Sequence, residues 1–328
     1  MSVKLAVSLV TYNGEKYLQH CLHSLFKQSY QDWQLFILDN ASDDATNKVI
    51  DKMVADRLDV AVLPVKKSNI GFARAHNEII KKTDTPYILL LNQDVILTAD
   101  YIQRLVGFLD NNEHAGAVAG KLLRWQLADG LVEMTDVIDS VGLVINKNFQ
   151  IVDEAAGRQD LGNYDSTREV FGVSGAVPCF RRAALDQVGC FDKKFFAYKE
   201  DVDLAMRLRH AGWQAYCVGG AVAYHARSLR AGKKNNNLVV MNNRRVKSIL
   251  GNYLSYRNHW YILIKDVALL DYIKYGIFIC WYELKKLVYL LVFEQKTLYA
   301  WFDIVRFLPT LLHDRKHVNP KSLSQWIK

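Results

Sequence analysis

Asp94 has the surroundings expected of a carboxylate that handles a phosphate ligand. It follows a continuous apolar or aromatic run, residues 87–91, with only Asn92 and Gln93 between. A carboxylate at this point can hold Mg²⁺ or Mn²⁺ against a diphosphate, because hard cations prefer carboxylate and phosphate oxygens. The alternative is that Asp94 caps the turn or helix that follows.

Glu200, Asp201 and Asp203 form a second acidic group, at the start of a predicted helix that Gly212 ends. Acids at a helix N-terminus are stabilised by the macrodipole, so capping explains one or two of them. A third acid beside two phenylalanines and a tyrosine favours chemistry, since a carboxylate in partly apolar surroundings can act as a general base toward a hydroxyl group. We take Asp201 as the base, with Glu200 and Asp203 as alternatives.

His225 lies at the end of a short predicted strand and offers a nitrogen ligand. In a chain that already has a candidate metal carboxylate, this histidine is either a second metal ligand or a structural residue. Four basic residues follow in a glycine-containing loop that could fold over a diphosphate, and a solvated loop is the alternative. They are Arg227, Arg230, Lys233 and Lys234.

Repeated units of strand, polar tip and helix are predicted to position these side chains. The first strand ends in Thr11, Tyr12 and Asn13, and the second ends in Asp39. Because ligands of open α/β sheets lie beyond the carboxyl ends of the strands, these tips and Asp94 predict one binding edge. The strands are predicted over 5–10, 33–38, 60–65 and 87–91, and the helices over 16–28, up to about 53 and up to about 82.

Asn69, Gly71 and Arg74 lie where the third strand leads into a helix. Helix N-termini attract phosphate through their N–H groups and the macrodipole, and Arg74 adds a fixed positive charge. These residues therefore predict a phosphate contact. An ordinary asparagine cap beside a surface arginine is the alternative.

The middle of the chain is less regular. One amphipathic helix and several strands are predicted, and a polar segment, 124–168, is interpreted as loops and short strands that wall a pocket. The helix covers 101–111, and the strands cover 115–122, 213–218 and 220–223.

Ser174 and Gly175 lie in a segment of small and apolar residues, 171–179. Glycine in such a segment permits the close approach of a ligand or of another backbone. A tightly packed sheet edge is the alternative.

The charge of the chain is unevenly distributed. Half of the residues are hydrophobic, which predicts a folded protein, and the net charge is +8. Residues 205–328 contain 20 Lys and Arg against 6 Asp and Glu, which suggests contact with nucleic acid or with an anionic membrane surface. Nothing here resembles a nucleic-acid recognition motif, so no nucleic-acid partner is expected.

Cysteine usage and hydropathy indicate the compartment. The five cysteines are odd in number and form no C-x-x-C pair, which predicts reduced, mostly buried thiols in a cytosolic protein. The apolar run at the N-terminus is better explained as a first strand than as a signal peptide. No segment offers the ~18 uncharged apolar residues of a spanning helix, so we expect a cytoplasmic protein, with peripheral contact on the inner face of the membrane as one form of it.

Beyond Asn236 the pattern changes to long helical runs that are rich in Tyr, Trp and Phe and punctuated by Lys and Arg. Basic, aromatic-rich amphipathic helices often lie in a membrane interface, where Trp and Tyr settle and cations meet anionic headgroups. A packed helical domain or a homo-oligomer interface is the alternative.

Six segments in this order resemble the family 2 glycosyltransferases with the GT-A fold. They are VSLVTYNGEKYL, ILDNASDD, NIGFARAHN, LLLNQD, KEDVDLAMRLRHAGW and YHARS. The NQD-type tip with NIGFARAHN resembles the bacterial rhamnosyltransferase-like branch. The resemblance spans about Val3 to Lys234 and implies an α/β, Rossmann-like, mostly parallel sheet flanked by helices over residues 1–235. A basic, aromatic-rich helical region over 236–328 would follow.

The resemblance implies an inverting, metal-dependent glycosyltransferase of bacterial surface polysaccharide synthesis. The donor would be a nucleoside diphosphate sugar, with dTDP-rhamnose favoured by the branch, and the acceptor a saccharide, free or lipid-linked. By position, Thr11, Tyr12 and Asn13 would line the nucleotide pocket, and Asp39 would read a pyrimidine base. Asn69, Gly71 and Arg74 would contact the nucleotide and its phosphates.

The remaining roles concern the metal and the reaction. Asp94 would bind Mg²⁺ or Mn²⁺ with His225 as second ligand, and Asp201 would deprotonate the acceptor hydroxyl. The family's metal motif often begins with Asp, whereas this chain has Asn92, which can still bond a ribose hydroxyl. Further substrate contacts are expected from Gln93, Ser174, Gly175, Glu200 and Arg230.

Three other functions stay open from the sequence. The same fold could use a UDP-sugar donor. A sugar nucleotidyltransferase is disfavoured, because no glycine-rich loop bearing Arg or Lys follows the first strand. A non-catalytic, membrane-associated module that binds nucleotide or glycan is the third.

Overall fold

The computed structural model describes residues 3–226, 248–315, 318–319 and 321–328. The predicted basic loop with Arg227, Arg230, Lys233 and Lys234 lies outside these residues. The first part of the chain alternates strands and helices, as predicted. Its elements are β1 (Leu5–Thr11), α1 (Leu18–Phe26), β2 (Trp33–Asp39), α2 (Thr46–Val54), β3 (Val60–Leu63), α3 (Phe72–Ile80) and β4 (Tyr87–Asn92).

These strands form a parallel half-sheet in the order β3-β2-β1-β4. Thr11 pairs with Asp39 across β1 and β2, and Val10 pairs with Asn92 across β1 and β4. The polar tips therefore end at one edge of the sheet, as the sequence predicted. This register places the candidate ligand residues side by side.

Strand β4 is buried on both faces, which explains its unbroken apolar run. Leu89 and Leu91 pack in one hydrophobic cluster, together with the apolar residues of α1. Ile88 and Leu90 pack in a second cluster on the opposite face. Because helices cover both faces, the strand shows no polar alternation.

The second half of the sheet is mixed. The full order is β10-β12-β6-β11-β4-β1-β2-β3, with β5 on β12 and β7 on β6. Strand β11 runs antiparallel between β4 and β6, and β12 runs parallel to β6. The elements are β5 (Val95–Leu97), α4 (Tyr101–Asp110), β6 (Ala115–Ala128), β7 (Leu131–Ser140), β8 (Leu143–Ile145), β9 (Ile151–Asp153), β10 (Arg168–Val170), β11 (Cys179–Arg181), α5 (Arg182–Val188), α6 (Glu200–His210) and β12 (Gln214–His225).

Two predictions for this half were wrong. Residues 124–168 do not consist only of loops and short strands, because β6 continues to Ala128 and pairs with the ten-residue β7. The outer parts of both strands are largely exposed, including the apolar Leu131 and Met134, so apolar periodicity does not mark them as strands. The strands predicted over 213–218 and 220–223 form one strand, β12 (Gln214–His225), and a register shift between Val218 and Val222 absorbs the glycine pair that suggested a break.

The C-terminal part is helical, as predicted. Within the described residues it contains α7 (Ile249–Asp266), α8 (Leu269–Phe293), a 3₁₀ turn (Gln295–Tyr299) and α9 (Ala300–Asp314). Tyr256, Tyr261 and Ile304 share a hydrophobic cluster with Phe195 and Met206, which lie before and within α6. No described helix is both long and apolar enough to cross a membrane.

A buried ion network joins α7 to α6. The Nζ of Lys265 lies 2.9 Å from an oxygen of Asp192 and also binds Asp203, which is fully buried and lies 2.7 Å from Arg207. Burial acts to lower the pKa of Lys265, but the charges of Asp203, Asp266 and Asp192 together outweigh it and raise that pKa above its usual range. The ammonium therefore stays charged and holds the two helices together.

Replacing Lys265 with methionine should destabilise the protein by about 3–5 kcal/mol, because it leaves buried carboxylates without their cation. The free energy of unfolding from urea titration measures this. Arg104→Met removes the exposed ion pair with Asp100 and should cost less than about 1 kcal/mol. Equal losses for the two variants would contradict a structural role for the network.

Candidate active site

Gln93 fixes the loop after β1. Its amide oxygen accepts hydrogen bonds from the Thr11 hydroxyl at 2.5 Å and the Tyr12 N–H at 2.9 Å, and its Nε2 donates to the Tyr12 carbonyl at 3.1 Å. A Cβ on Gly14 would overlap both Gln93 and Thr11, so this close approach requires glycine. Gln93 and Thr11 thus orient Tyr12, whose side chain is 45% exposed.

The two carboxylate oxygens of Asp39, at the tip of β2, differ in their hydrogen bonding. Its Oδ1 accepts hydrogen bonds from the Ser42 N–H at 2.9 Å and the Ser42 hydroxyl at 2.7 Å, and the Asn13 N–H donates to the same hydroxyl. Its Oδ2 is buried and has no hydrogen-bond partner among the described residues. Because a buried polar atom without a partner is costly, Oδ2 is suited to accept a hydrogen bond from a ligand.

Asn69 and Gly71 bring α3 against the loop that precedes α6. The Oδ1 of Asn69 accepts hydrogen bonds from Asn40 Nδ2 and from the Gly71 N–H, both at 2.9 Å. Gly71 has a φ of +84°, and a Cβ there would lie 2.6 Å from the ring of Phe196. The Ala73 N–H donates to the Phe196 carbonyl at 3.2 Å. Glycine is therefore required both by the backbone conformation and by the neighbouring ring.

These contacts surround a cleft of about 310 Å³. The tips of β1 and β4 line one side, and Phe196 and Ala197 line another. The volume suits part of a small organic ligand. Six predicted site residues line it, namely Tyr12, Asn69, Gly71, Asn92, Gln93 and Asp94.

Asp94 and His225 lie side by side next to this cleft. The Nε2 of His225 is 3.4 Å from Asp94 Oδ2, because β5 pairs with the end of β12 and places Val95 opposite His225. On the other side of the ring, Nδ1 lies 2.9 Å from Asp139 Oδ2. Asp139 is fully buried, and Trp125 Nε1 donates to the Asp94 carbonyl at 2.8 Å.

The arrangement of Asp94 and His225 fits a divalent cation. Burial acts to lower the pKa of His225, but the charge of Asp94 and hydrogen bonds to Asp139 and Asp94 raise it to about 10, so a cation at Nε2 would have to displace a proton from the ring. A metal-binding histidine usually gives its second ring N–H to a carboxylate, and Asp139 provides one. The described residues contain no group of three or more His, Cys, Asp or Glu that could hold a metal. A cation here would therefore need further oxygen ligands from a bound phosphate or from water.

Asp201 is joined to the tip of β4 through two consecutive residues. The Gly175 N–H donates to Asp201 Oδ2 at 3.0 Å, and the Ala176 carbonyl accepts a hydrogen bond from the Asn92 N–H at 3.0 Å. A Cβ on Gly175 would lie 3.3 Å from that of Asp201, so the segment approaches α6 closely. Residues 171–178 form a loop in contact with α6, with β11 beginning at Cys179. The close neighbour of Gly175 is the side chain of Asp201, and the approach of a ligand to this segment stays a prediction.

Burial raises the pKa of Asp201, and the charge of Asp153 raises it further. Asp153 ends β9, and Lys199 immediately precedes α6. Burial lowers the pKa of Lys199, whereas the charges of Asp201, Glu283 and Asp153 act to raise it. A carboxylate with a raised pKa accepts a proton more readily than an ordinary aspartate, as a general base must.

Helix α7 holds the loop before α6 in an unusual conformation. Phe196, Tyr198 and Lys199 have φ values of 63°, 69° and 68°, which non-glycine residues rarely adopt. The buried Nδ2 of Asn258 contacts three carbonyls of this loop, those of residues 195, 197 and 198, at 2.6–2.9 Å. Arg257 Nη2 also donates to the carbonyls of residues 194 and 195. Helix α7 thereby fixes the backbone that places Asp201.

The three acids at the start of α6 have different surroundings. Asp201 borders the 174–176 loop, whereas Glu200 is buried with a relative exposure of 7%. Asp203 was an alternative base, and this was wrong, because its carboxylate is fully buried between Lys265 and Arg207.

Two further predicted site residues lie in different places. Arg74 is exposed on the first turn of α3, and Ser174 is buried. The predicted contact Arg230 lies outside the described residues.

The sequence did not reveal three residues of this region. Asp139 lies in the segment interpreted as loops, and its pairing with His225 depends on the long β6–β7 hairpin. Asp153 comes from a three-residue strand with no pattern of its own. Asn258 lies within a helical run and gave no signal, because a single buried asparagine resembles any polar residue of an amphipathic helix.

The sequence model of glycosyl transferase family 2 matches residues 6–188, which is more than half of the chain. The chain belongs to glycosyl transferase family 2. The predicted family is confirmed. The match ends before α6, so Asp201 and His225 of this family 2 glycosyltransferase lie beyond the matched region.

Curated relatives include a rhamnosyltransferase. The N-acetylglucosaminyl-diphospho-decaprenol L-rhamnosyltransferase of Mycobacterium tuberculosis is 28% identical over 250 residues, which cover 71% of this chain and 79% of that protein. The teichoic acid poly(glycerol phosphate) polymerase of Staphylococcus epidermidis is 32% identical over 91 residues, covering 28% of this chain and 13% of that protein. The first of these agrees with the resemblance to the rhamnosyltransferase-like branch.

Solved structures show the fold. The mannosyltransferase PcManGT from Pyrobaculum calidifontis, in complex with GDP-Man and Mn²⁺, matches with a TM-score of 0.54 at 13% identity, covering 97% of this chain and 85% of that one. GalNAc-T7 with UDP, GalNAc and Mn²⁺ matches with a TM-score of 0.61 at 12% identity and covers 80% of this chain, which spans about half (49%) of that one. The predicted GT-A architecture of this family 2 glycosyltransferase is confirmed.

Gly71→Ala should weaken nucleotide binding by about tenfold or more, about 1.4 kcal/mol, because its Cβ would push Phe196 into the cleft. Calorimetric titration with UDP and dTDP in the presence of Mn²⁺ measures this. Gly130→Ala is the matched control, since Gly130 has a φ of +79° and an open neighbourhood. Both variants should lose stability through backbone strain, but only the first should lose affinity. A similar loss of affinity in both would contradict the role of the Gly71–Phe196 contact.

Proposed function

We propose that this protein is an inverting, divalent-metal-dependent glycosyltransferase that moves a sugar from a nucleoside diphosphate donor to a saccharide acceptor in bacterial surface polysaccharide synthesis. One observation carries the proposal. Asp94 with His225 and the candidate base Asp201 flank the tip of β4, where Gly175 and Ala176 link Asp201 to Asn92. Sugar transfer from a diphosphate needs a cation that neutralises the leaving group and a proton acceptor for the acceptor hydroxyl, and these side chains would supply both.

Asp39 supports a pyrimidine nucleotide as the donor. Its buried Oδ2 can accept one hydrogen bond from a ligand, and uracil and thymine both present a ring N–H donor. Thr11, Tyr12 and Asn13 lie at the neighbouring tip, and Asn92 is suited to a ribose hydroxyl. We assign the phosphate contacts to Asn69, Gly71, Arg74 and Arg230 as predicted from the sequence.

The metal would be Mg²⁺ or Mn²⁺ held by Asp94 and His225, with Asp139 fixing the imidazole ring. When bound, such a cation neutralises the negative charge that develops on the departing diphosphate. Two structural neighbours, GalNAc-T7 and PcManGT, were solved with Mn²⁺ together with a nucleotide or nucleotide sugar, which supports this choice.

Asp201 would take the proton from the acceptor hydroxyl as its oxygen forms the new bond to the anomeric carbon. In the same displacement the bond between that carbon and the diphosphate breaks, so the configuration inverts. Gly175 orients the base through its hydrogen bond to Oδ2, and the apolar surroundings keep its proton affinity high. Gln93, Ser174 and Glu200 are assigned to the walls of the donor and acceptor sites.

We favour dTDP-rhamnose as donor and a lipid-linked saccharide as acceptor. The support is the relative whose name specifies rhamnosyl transfer to a lipid diphosphate. The alternative is a UDP-sugar donor, because Asp39 would accept a hydrogen bond from uracil as well as from thymine. A non-catalytic module that binds nucleotide or glycan would keep the cleft but show no transfer.

Asp201→Asn should lower the transfer rate by at least about 10²-fold, because the amide cannot take the acceptor proton. Transfer is measured by mass spectrometry of a saccharide acceptor incubated with dTDP-rhamnose or UDP-sugars. Nucleotide binding is measured by thermal shift with dTDP, UDP and GDP, each with and without Mn²⁺. Nucleotide binding should survive the substitution.

Asp203→Asn is the matched control for Asp201→Asn. It should lower stability through the loss of partners for Lys265 and Arg207, while the folded fraction keeps its activity. Transfer by the Asp201 variant at the normal rate would disprove the assigned base. Nucleotide binding by the unsubstituted protein with no transfer to any acceptor would favour the non-catalytic module.

Asp153→Asn should shift the acid limb of the kcat/KM profile to lower pH. Asp153 raises the pKa of Asp201, so removing its charge lets the base stay deprotonated further down the pH scale. Rates across a pH series test this, with the exposed Asp136→Asn as control. An acid limb that stays in place, or that moves upward, would contradict the coupling.

A further inference from the structure

Helix α8 carries an exposed stripe of large apolar side chains along its whole length, which is about 37 Å for 25 residues. Each side chain of this apolar stripe is between 52% and 81% exposed. Each member follows the one before it by three or four residues, which keeps the stripe on one face. Its members are Leu270, Ile273, Ile277, Trp281, Leu284, Val288 and Leu291.

The opposite face of α8 is already used inside the protein. Tyr275, Ile279 and Leu290 are buried in the cluster shared with α6 and α7, and Glu283 bonds the buried His259. The residues of the apolar stripe are therefore not the ones that pack α8 against the rest of the protein. A contiguous apolar surface of this size on a folded protein marks an interaction site.

The charges around the apolar stripe are of one sign. Across residues 269–314 the exposed charged side chains are Lys274, Lys285, Lys296 and Arg306. The acids of this segment are buried or half-buried, and several are used internally. Asp303 binds Tyr253 and Arg257, and Asp314 binds Lys194.

We propose that the outer surface of α8 and α9, meaning the apolar stripe with these four cations, binds in the interface of an anionic lipid bilayer. The apolar side chains would enter the acyl boundary while the cations meet the headgroups. Lys285 lies 5.6 Å from the ring centre of Trp281, so an interfacial aromatic and a headgroup cation are adjacent. Phe302 and Val305 extend the exposed apolar surface onto α9.

A second copy of the chain fits this surface less well. A twofold dimer would place the same patch against itself and bring these cations toward their own copies. No exposed acid between residues 269 and 314 is available to pair with them. An anionic lipid surface has the complementary sign.

The face of α8 opposite the apolar stripe acts electrostatically on the start of α6. The inner edge of α8 contributes Glu283, whose charge acts on Lys199, and Lys199 in turn neighbours Asp201. Lipid binding on the outer edge would bring a membrane-held acceptor near the start of α6. The binding itself needs neither donor nor acceptor, so it stands or fails apart from the proposed transfer reaction.

Co-sedimentation of the full chain with vesicles tests the proposal. Binding should occur with phosphatidylcholine vesicles that contain phosphatidylglycerol and should be weak with pure phosphatidylcholine. Glutamate at Lys274, Lys285, Lys296 and Arg306 together should weaken binding by at least about tenfold. The charge-matched control has glutamate at the exposed Lys48, Lys52, Lys81 and Lys82 on α2 and after α3, and it should retain most of its binding.

Cys280 gives a readout that needs no substitution, because it is the exposed cysteine and lies on α8. A polarity-sensitive dye on this thiol should shift to shorter wavelength on anionic vesicles, and Ile277→Asp should suppress the shift while Leu58→Asp at another exposed position should not. Sedimentation velocity without lipid reports self-association. Absence of vesicle binding, equal loss in both charge variants, or a dimer that Ile277→Asp dissociates would each overturn the proposal.

Discussion

The position of the candidate base depends on one strained piece of backbone. Phe196, Tyr198 and Lys199 adopt positive φ values directly before α6, and such conformations persist only where the surroundings enforce them. Asn258 enforces this one by contacting the carbonyls of residues 195, 197 and 198 in the loop. The same loop contacts Gly71, so one constraint sets the distance between the cleft and Asp201.

Two acids at the start of α6 have different roles because their surroundings differ. Asp203 is neutralised by Lys265 and Arg207 and serves the fold, whereas Asp201 accepts backbone N–H groups and carries a raised pKa. Identical carboxylates two residues apart on one helix thus differ because one faces α7 and the other faces the 174–176 loop. Asp139 orients His225 in a similar way. It hydrogen-bonds to Nδ1 of the ring, which leaves Nε2 facing Asp94.

The sequence predicted those parts of the site that local patterns encode. Buried parallel strands have unbroken apolar runs and abrupt polar ends, so the tips at Asp39 and Asp94 could be located and assigned to one edge. The long β6–β7 hairpin is half exposed and shows no such pattern, and Asp139 was missed with it. Asp153 and Asn258 act through pairings between distant segments, which no local spacing records. The choice between Asp201 and Asp203 likewise depended on which partner each side chain meets across the fold.

The shared core between the sheet and the C-terminal helices limits how this enzyme can diverge. Helix α7 provides both Asn258, which holds the loop before α6, and Lys265, which forms ion pairs with Asp192 and Asp203. A gene fusion that joined this sheet to a different C-terminal region would lack Asn258 and Lys265. The carbonyls before α6 would then lose their donor, and the carboxylates of Asp192 and Asp203 would lose a compensating cation. Placement of the candidate base is therefore tied to one inherited unit, and sequence change should be tolerated on its outer surface more readily than exchange of whole modules.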